Sequence, residues 1–413
     1  MNTSEFIRLH RTSDPRQLAL QASRYPDVDM PYALDQIQGW QTARSKLPTW
    51  AAADGVVFPP RLSMEQCSSE ATARYKAALA ERWARIVSEQ SDMHKDHVSA
   101  ATSMTDLTGG FGVDFSFMSR CFSRATYVER GEALCRVVRS NLPRLGIDNA
   151  KTVCANAEEW LAQTEPQTMF FLDPARRNAA GGKTVFIADC SPNVVDLLPM
   201  LMEKSLFTIV KLSPMLDWHK AIADLQATVR EVHIVSVGGE CKELLLVMSR
   251  HVEKATSIVC ADLDVSGAER TLFSYTLGEE EEPRRVPIHS PSAPFTHLFE
   301  PNASVMKAGC FALLASRYGV MPVSHNSHLF LAGECVKNFP GRAFSVVSTT
   351  TMNKRELRQT LAGIDRANIA VRNFPLTAAE LRKRLKLKDG GDTYIFATTA
   401  ADDSHILFIC HKC

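Results

Sequence analysis

The sequence contains no Cys-x-x-Cys, although eleven cysteines are scattered through its 413 residues. Without that spacing a zinc cluster is not expected, and the thiols read as small buried hydrophobes in a reducing compartment. Net charge is almost absent: 47 Lys and Arg against 46 Asp and Glu leave +1. The global balance gives no drive toward nucleic acid or membrane, so any such drive must be local. No uncharged apolar run approaches the length that spans a bilayer. The first residues, "MNTSEFIRLHRTSDPRQ", carry charges where a secretory leader needs an apolar centre. No internal repeat is visible. These absences lead to the expectation of a cytoplasmic protein with no membrane segment and no metal.

What is present is the composition of a globular protein, 45% apolar and 23% charged. A chain of 413 residues is too long for one core, so two or three domains or more are expected. Residues 1–95 read as helical, because "PYALDQIQGWQTARSKL" and "SEATARYKAALAERWARIVSEQ" repeat apolar residues every three or four positions. Ser63-x-x-Gln66 reads as a capping box opening the second stretch. Residues 96–252 alternate short apolar runs with helical stretches: "SMTDLT", "RATYVER", "KTVCANA", "TMFFLDP", "LFTIVKLSP", "VREVHIVSVG" and "KELLLVMSR". The first six are separated by enough chain for crossover helices; the last gap fits only a hairpin. This is an α/β, doubly wound sheet of seven strands with a final antiparallel hairpin, and its ligand belongs beyond the carboxyl ends of the strands.

Residues 253–338 are expected to form a small α/β domain, with a charged, proline-rich surface loop from Gly278. Residues 339–413 read strand-helix-strand-helix-strand-strand, a small ferredoxin-like α+β unit. Its helices begin at Asn353-x-x-Glu356 and Thr377-x-x-Glu380, and Gly390-Gly391 is expected to close the second.

"MTDLTGGFGVDFSFMSR" carries the strongest chemical signal. Asp106 ends a strand, Thr108, Gly109, Gly110 and Gly112 form a tight loop, and a helix starts near Asp114. Glycines let a backbone approach a ligand, and a helix start offers unpaired N–H groups. Glu129 ends the next strand, at a spacing that grips ribose hydroxyls in nucleotide folds. A glycine turn that binds nothing is the alternative. The spacing is Gly-Gly-x-Gly rather than Gly-x-Gly-x-x-Gly, and Asp106 and Asp114 flank it. Two carboxylates would repel a pyrophosphate. They suit a ligand with a cationic amine and a sulfonium, S-adenosylmethionine (SAM).

"DLTGGFGVD", "YVER", "CANAEEW", "FFLDPARR" and "SVGGECKELLLVM" resemble the successive motifs of class I SAM-dependent methyltransferases. With "LSMEQCSSEATARYKA", "FEPNASVMKAG", "FPGRAF" and "RNFPLTAAELRKRLKLKDGG", the chain resembles, over most of its length, a bacterial methyltransferase group. That group has a helical N-terminal region and a C-terminal THUMP-like domain. The resemblance makes residues 96–252 the SAM-dependent domain. It implies that Asp106, Thr108, Gly109, Gly110 and Gly112 line the methionine part of SAM, with Asp114 beside them. Glu129 would hold the ribose, and Asn156 and Ala157 would touch the adenine. Asp173 and Pro174, after the fourth strand, would face the methyl group and the acceptor.

The fourth-strand motif departs from its relatives. Methyltransferases of base amino groups carry Asp/Asn-Pro-Pro-Tyr/Phe there, and the aromatic stacks on the base. Here Ala175 and Arg176 stand in place of the second proline and the aromatic. The hydrogen-bond acceptor is kept and the stacking platform is lost. Carbon-5 pyrimidine methyltransferases need a cysteine after the fifth strand, where this chain has "VKLSPMLD". Cys190 reads as structural, so covalent catalysis is not expected. SAM chemistry rests on positioning and proton removal, and Asp173 is the candidate for both. Arg176 and Arg177 would hold an anionic substrate, or pair with an acid such as Glu240. Lys211, Ser213 and Asp217 follow the fifth strand and, with Glu240 and Lys242, are expected at the same rim.

Between Lys354 and Asp389 there are ten Lys and Arg against four Asp and Glu. RNA phosphate is the expected partner of that excess, and a solvated helix face is the alternative. Phe374 beside Arg372 would add stacking. His325 and His328 lack a third ligand nearby and read as loop or core histidines.

Overall fold

The computed structural model describes residues 1–93, 102–176, 187–281 and 295–413. The chain divides into two compact units. The first comprises residues 1–237, 242–256 and 263–268, and the second residues 238–241, 257–262 and 269–413.

The first unit opens with six helices: α1 Thr3–His10, α2 Pro15–Leu20, α3 Met30–Lys46, α4 Pro48–Ala52, α5 Arg61–Gln66 and α6 Glu70–Met93. Pro59-Pro60 ends the preceding loop and starts α5, so Ser63 lies inside a helix and caps nothing. The cap of α6 is Ser69, whose Oγ accepts from the Thr72 N–H at 3.3 Å. The expected Ser63–Gln66 box is therefore displaced by six residues, because the paired proline creates an extra helix start. Along α6 the buried stripe is Ala73, Lys76, Ala80, Trp83 and Val87, a three-and-four spacing with a lysine inside it.

Seven strands follow: β1 Ser103–Asp106, β2 Arg124–Glu129, β3 Ala150–Cys154, β4 Gln167–Leu172, β5 Ser205–Leu212, β6 Val229–Val237 and β7 Glu240–Met248. They are hydrogen-bonded in the order β6-β7-β5-β4-β1-β2-β3, as seven neighbours in a sheet of nine strands, two more than the expected seven. The β3-β2-β1-β4-β5 run is parallel, and β7 is antiparallel to β5, pairing Thr208 with Met248 through Leu212 with Leu244. Gly238 and Gly239 both take positive φ in the β6–β7 turn, as a tight hairpin requires. β1 and most of β4 are buried, β1 ending in Asp106 and β4 running into Asp173. The crossovers are α7 Val113–Met118, α8 Glu132–Arg144, α9 Ala157–Gln163, α10 Val194–Lys204 and α11 Trp218–Leu225. This is the expected Rossmann-like sheet with its closing hairpin.

One buried cluster ties α6 to β6. The Glu231 carboxylate accepts from Arg82, from Trp83 Nε1 at 2.9 Å, from His233 Nε2 at 3.0 Å and from Lys254. The Tyr75 hydroxyl meets His233 Nδ1 at 2.7 Å. Burial would raise the Glu231 pKa, but hydrogen bonds from His233, Arg82 and Lys254 outweigh it and hold the carboxyl below its ordinary value. Burial holds the His233 pKa below its ordinary value, with Glu231 opposing. Both folded-state values are depressed. The unfolded chain therefore takes up protons first, and stability is lost as pH falls, through about 6.5 for His233 and then about 4.5 for Glu231. Each unit of depression corresponds to about 1.4 kcal/mol. The thermal midpoint should fall between pH 7 and pH 5, and His233→Gln should flatten that part of the curve. An unchanged slope in the variant would remove His233 from the account.

The second unit holds β8 Ser257–Leu263, β9 Glu269–Thr276, β10 His297–Pro301, β11 Met321–Pro322, β12 Phe330–Ala332, β13 Gly341–Thr351, β14 Asn368–Arg372, β15 Thr393–Thr399 and β16 His405–Lys412. Seven of these form one sheet in the order β11-β12-β10-β13-β16-β15-β14. Its helices are α12 Ala303–Ala308, α13 Phe311–Tyr318, α14 Lys354–Thr360 and α15 Ala378–Leu385. Neighbouring residues of β15 and β16 enter different cores, Phe396 and Phe408 on one side, Ile395 and Ile409 on the other. Thr377 and Glu380 form the expected capping box of α15. The helix ends at Leu385 with Lys386 in the left-handed region, so Gly390-Gly391 does not close it; those glycines lead into β15. Phe374 packs against the His405 ring at 5.3 Å and into the core, and Arg372 pairs with Glu300 at 2.8 Å. Neither is free to form the expected stacking platform. His328 stacks on Phe311 at 4.1 Å, as a packed loop histidine. Among the described residues no helix is long and apolar enough to cross a membrane.

Candidate functional site

A cleft of about 770 Å³ opens beyond the carboxyl ends of β1 to β5. β1 delivers Asp106 and β2 delivers Glu129; Asn156 and Ala157 start α9, and Asp173 and Pro174 follow β4. All of them line the cleft, together with Thr108, Gly109, Gly110, Gly112, Asp114, Lys211, Ser213 and Lys242. The geometry thus collects nearly the whole expected set. Asp217 is not in this wall; it caps α11, accepting from the His219 N–H at 2.9 Å. Glu240 begins β7 at the hairpin turn. Arg176 pairs through its backbone with Cys190, and Arg177 lies outside the described residues.

The loop after β1 is shaped by what lies under it. A Cβ on Gly109 would sit 2.1 Å from the Tyr127 ring, so only glycine fits. The Tyr127 hydroxyl in turn donates to the Gly110 carbonyl. Gly110 has φ +54, and the nearest atom to a Cβ there would be the Thr108 carbonyl at 3.8 Å. A Cβ at 110 would therefore meet open space, at a position that lines the cleft. Glu129 is pinned at both oxygens, accepting from the Gly110 N–H at 3.0 Å and the Gly131 N–H at 2.7 Å. The Thr108 N–H donates to Asp106 at 3.0 Å, and the Thr108 hydroxyl oxygen accepts from the Asp173 N–H at 2.6 Å. One threonine thereby joins the ends of β1 and β4.

Five carboxyl groups (Asp106, Asp114, Glu129, Glu158 and Asp173) and three cations (Arg130, Lys211 and Lys242) line the cleft. Burial raises the Asp106 pKa well above the usual carboxylate range. The Thr108 N–H opposes this, and the charges of Asp114, Asp173 and Glu129 add to it. Such a wall attracts a cation and repels a phosphate. An open cradle at Gly110, a fixed acid at Glu129 and an electronegative wall fit SAM.

An ionic chain lies behind the wall. Lys76 is 0% exposed and donates to both oxygens of Glu243 at 2.6 Å. It also lies 3.2 Å from Asp114, which accepts from the Ser68 hydroxyl at 2.7 Å. Asp114 is 4.0 Å from Lys211, and Lys211 donates to Asp173 Oδ2. The order Glu243, Lys76, Asp114, Lys211, Asp173 alternates in sign from β7 to the cleft. Burial would lower the Lys211 pKa, but Asp173, Asp114 and Glu243 outweigh it and push it above the ordinary value. Lys211 therefore holds the candidate catalytic carboxylate. Ser63, Gln66, Cys67 and Ser68 also line the cleft, none of them expected there, and Lys76 lies behind it. The readable signal was Lys76 itself, a charge within the apolar stripe of α6.

Residues 341–412 match the THUMP domain-like family, and residues 297–340 match a ferredoxin-like domain family. Three solved structures described as "putative methyltransferase" are similar to the chain. The one from Porphyromonas gingivalis W83 is 29% identical, with a TM-score of 0.81, covering 100% of this chain and 99% of that one. One from Escherichia coli is 20% identical with a TM-score of 0.27, over 40% of this chain and 86% of that one. One from Streptococcus mutans, in complex with SAH, is 14% identical with a TM-score of 0.28, over 36% and 87%. Overlaps as low as the last two carry no weight. Among curated proteins, none matches this chain. The full-length similarity and the two family matches bear out the resemblance read from the motifs.

Proposed function

We propose, from the premise of a class I methyltransferase sheet with a THUMP-like domain at residues 341–412, that this chain transfers a methyl group from SAM to structured RNA. The observation that carries this reading is the convergence of the Gly110 cradle, Glu129 and Asp173 in one electronegative cleft.

Bound SAM supplies a methyl group already activated by its positive sulfur. The protein has to hold, orient and deprotonate. Glu129 is fixed on two backbone N–H groups, and its remaining lone pairs suit ribose hydroxyls. Asn156 and Ala157, which line the cleft at the start of α9, are the candidates to touch the adenine. Asp173 is held at Oδ2 by Lys211, its side chain is 40% exposed, and among the described residues Oδ1 has no hydrogen-bond partner. Oδ1 is then available to accept from an acceptor N–H or O–H and to take its proton.

Asp106 adds a proton linkage. Burial raises its folded-state pKa, and a positive ligand beside it favours the charged form. SAM binding should therefore lower that pKa and release protons at any pH where the free protein still holds them. Titrations in phosphate and in Tris should give different heats, and Asp106→Asn should make them equal. Equal heats in the wild type would remove Asp106 from contact with the cation.

The RNA assignment rests on the second unit. Lys383, Arg384, Lys386 and Lys388 are exposed on and just after α15, and none is in an ion pair among the described residues. Arg382, by contrast, pairs with Asp389. Exposed, uncommitted cations beside one another bind phosphate. A small-molecule or protein acceptor is favoured by one observation only: an arginine, Arg176, stands where methyltransferases of base amino groups carry an aromatic. Transfer of labelled methyl to total RNA, compared with RNA-free lysate, separates the two. Label in RNA supports the proposal, and label only in the RNA-free fraction overturns it.

A further inference from the structure

The second unit gathers three metal-ligating side chains that no sequence spacing connects. His297 starts β10, Cys335 follows β12 and Cys413 follows β16. One ligand atom from each lies within 4.8 Å of the others. The sheet forces this meeting. His297 is paired with Ala332 on one side and Ser345 on the other, and Ser345 is paired with His411. The ends of three strands therefore fall at one edge. The Cys413 N–H donates to the Ala343 carbonyl at 3.1 Å, which fixes the backbone beneath the thiol.

A second observation concerns the imidazole. The Thr296 hydroxyl donates its proton to the Gly333 carbonyl at 2.6 Å. Its oxygen lies 2.8 Å from His297 Nδ1. With that proton spent, the contact requires Nδ1 to carry the hydrogen and donate. Nε2 is left with its lone pair. A histidine whose tautomer is fixed through one nitrogen is the usual state of a metal-ligating imidazole.

We propose that His297, Cys335 and Cys413 form a zinc(II) site, outside the methyltransferase cleft and independent of it. Two thiolates and one imidazole match the ligand preference of zinc, with a fourth position for water. Both cysteines are exposed and His297 is half-buried, so the thiols can rotate inward. Zinc–sulfur distances of about 2.3 Å require roughly 1 Å of contraction from the present spread. Both thiols enter as thiolates, so each bound ion releases up to two protons to solvent.

The test uses the full chain, reduced and stripped of metal, titrated with cobalt(II) as a coloured stand-in and then with zinc(II) against a chromophoric chelator. The expected result is one equivalent of cobalt with a thiolate-to-metal charge-transfer band, displaced by zinc. The double variant Cys335→Ser, Cys413→Ser should lose that equivalent. His297→Gln should weaken it by about 10- to 100-fold. Cys154→Ser, which removes an exposed thiol elsewhere, should leave it unchanged. Thermal midpoints of metal-free variants, expected to match the wild type, separate lost ligation from lost folding. Less than one equivalent in the wild type or an unchanged equivalent in the double variant overturns the site.

Discussion

Asp173→Ala is expected to lower methyl transfer by about 100- to 10,000-fold, the range for losing a positioned acid–base group, while SAM affinity stays within about threefold. The separation follows from geometry. The contact of residue 173 to the glycine loop is its backbone N–H on the Thr108 hydroxyl oxygen, which alanine keeps. The lost carboxylate lines the cleft and is held there by Lys211. Asp173→Asn retains an acceptor oxygen but cannot take a proton. Substantial activity in the asparagine variant would assign Asp173 to orientation, and loss equal to that of alanine would assign it to proton transfer. Single-turnover rates with saturating SAM read this directly. An alanine variant with unchanged turnover would place the chemistry elsewhere.

Lys76→Met should cost about 3–5 kcal/mol of stability in the first unit, the penalty for leaving a buried carboxylate without its partner. Lys76 is fully buried, and Glu243 is buried against it at 2.6 Å. The loss exceeds what deletion of an exposed pair costs, such as Arg61–Glu65, where about 0–1 kcal/mol is usual. Adding Glu243→Gln to Lys76→Met should restore most of the loss, because the orphaned charge is then gone. Urea midpoints of the single and double variants measure it. A single variant as stable as the wild type would show that water reaches this chain of charges. Since Asp114 and Lys211 continue the chain to Asp173, the double variant should also shift the pH profile of turnover.

The sheet was legible because its central strands are buried and two of them, β1 and β4, run into acids. "MTDLT" and "FFLDP" show this without any partner in view. The place of Glu129, at the end of β2 and in the cleft wall, was legible from its spacing after the glycine loop. What lay hidden depended on distant partners. Lys76 stands out as a charge within the apolar stripe of α6, but its partner Glu243, 167 positions away, does not. The Ser63 box failed because Pro59-Pro60 starts its own short helix, and a tripeptide spacing does not reveal which of two starts it serves. Phe374 and Arg372 looked like a binding pair, but a second-unit acid, Glu300, claims the arginine. His297, Cys335 and Cys413 are separated by whole strands, so only the register of the sheet brings them together.

The central claim is that the cleft beyond β1 to β5 is a SAM site. Calorimetric titration of the full chain with SAM tests it most directly, beside the Glu129→Ala variant. The account predicts one saturable site in the wild type and none measurable in the variant, whose thermal midpoint should stay close to that of the parent. No heat and no thermal shift with SAM in the wild type, or equal binding in the variant, would contradict it.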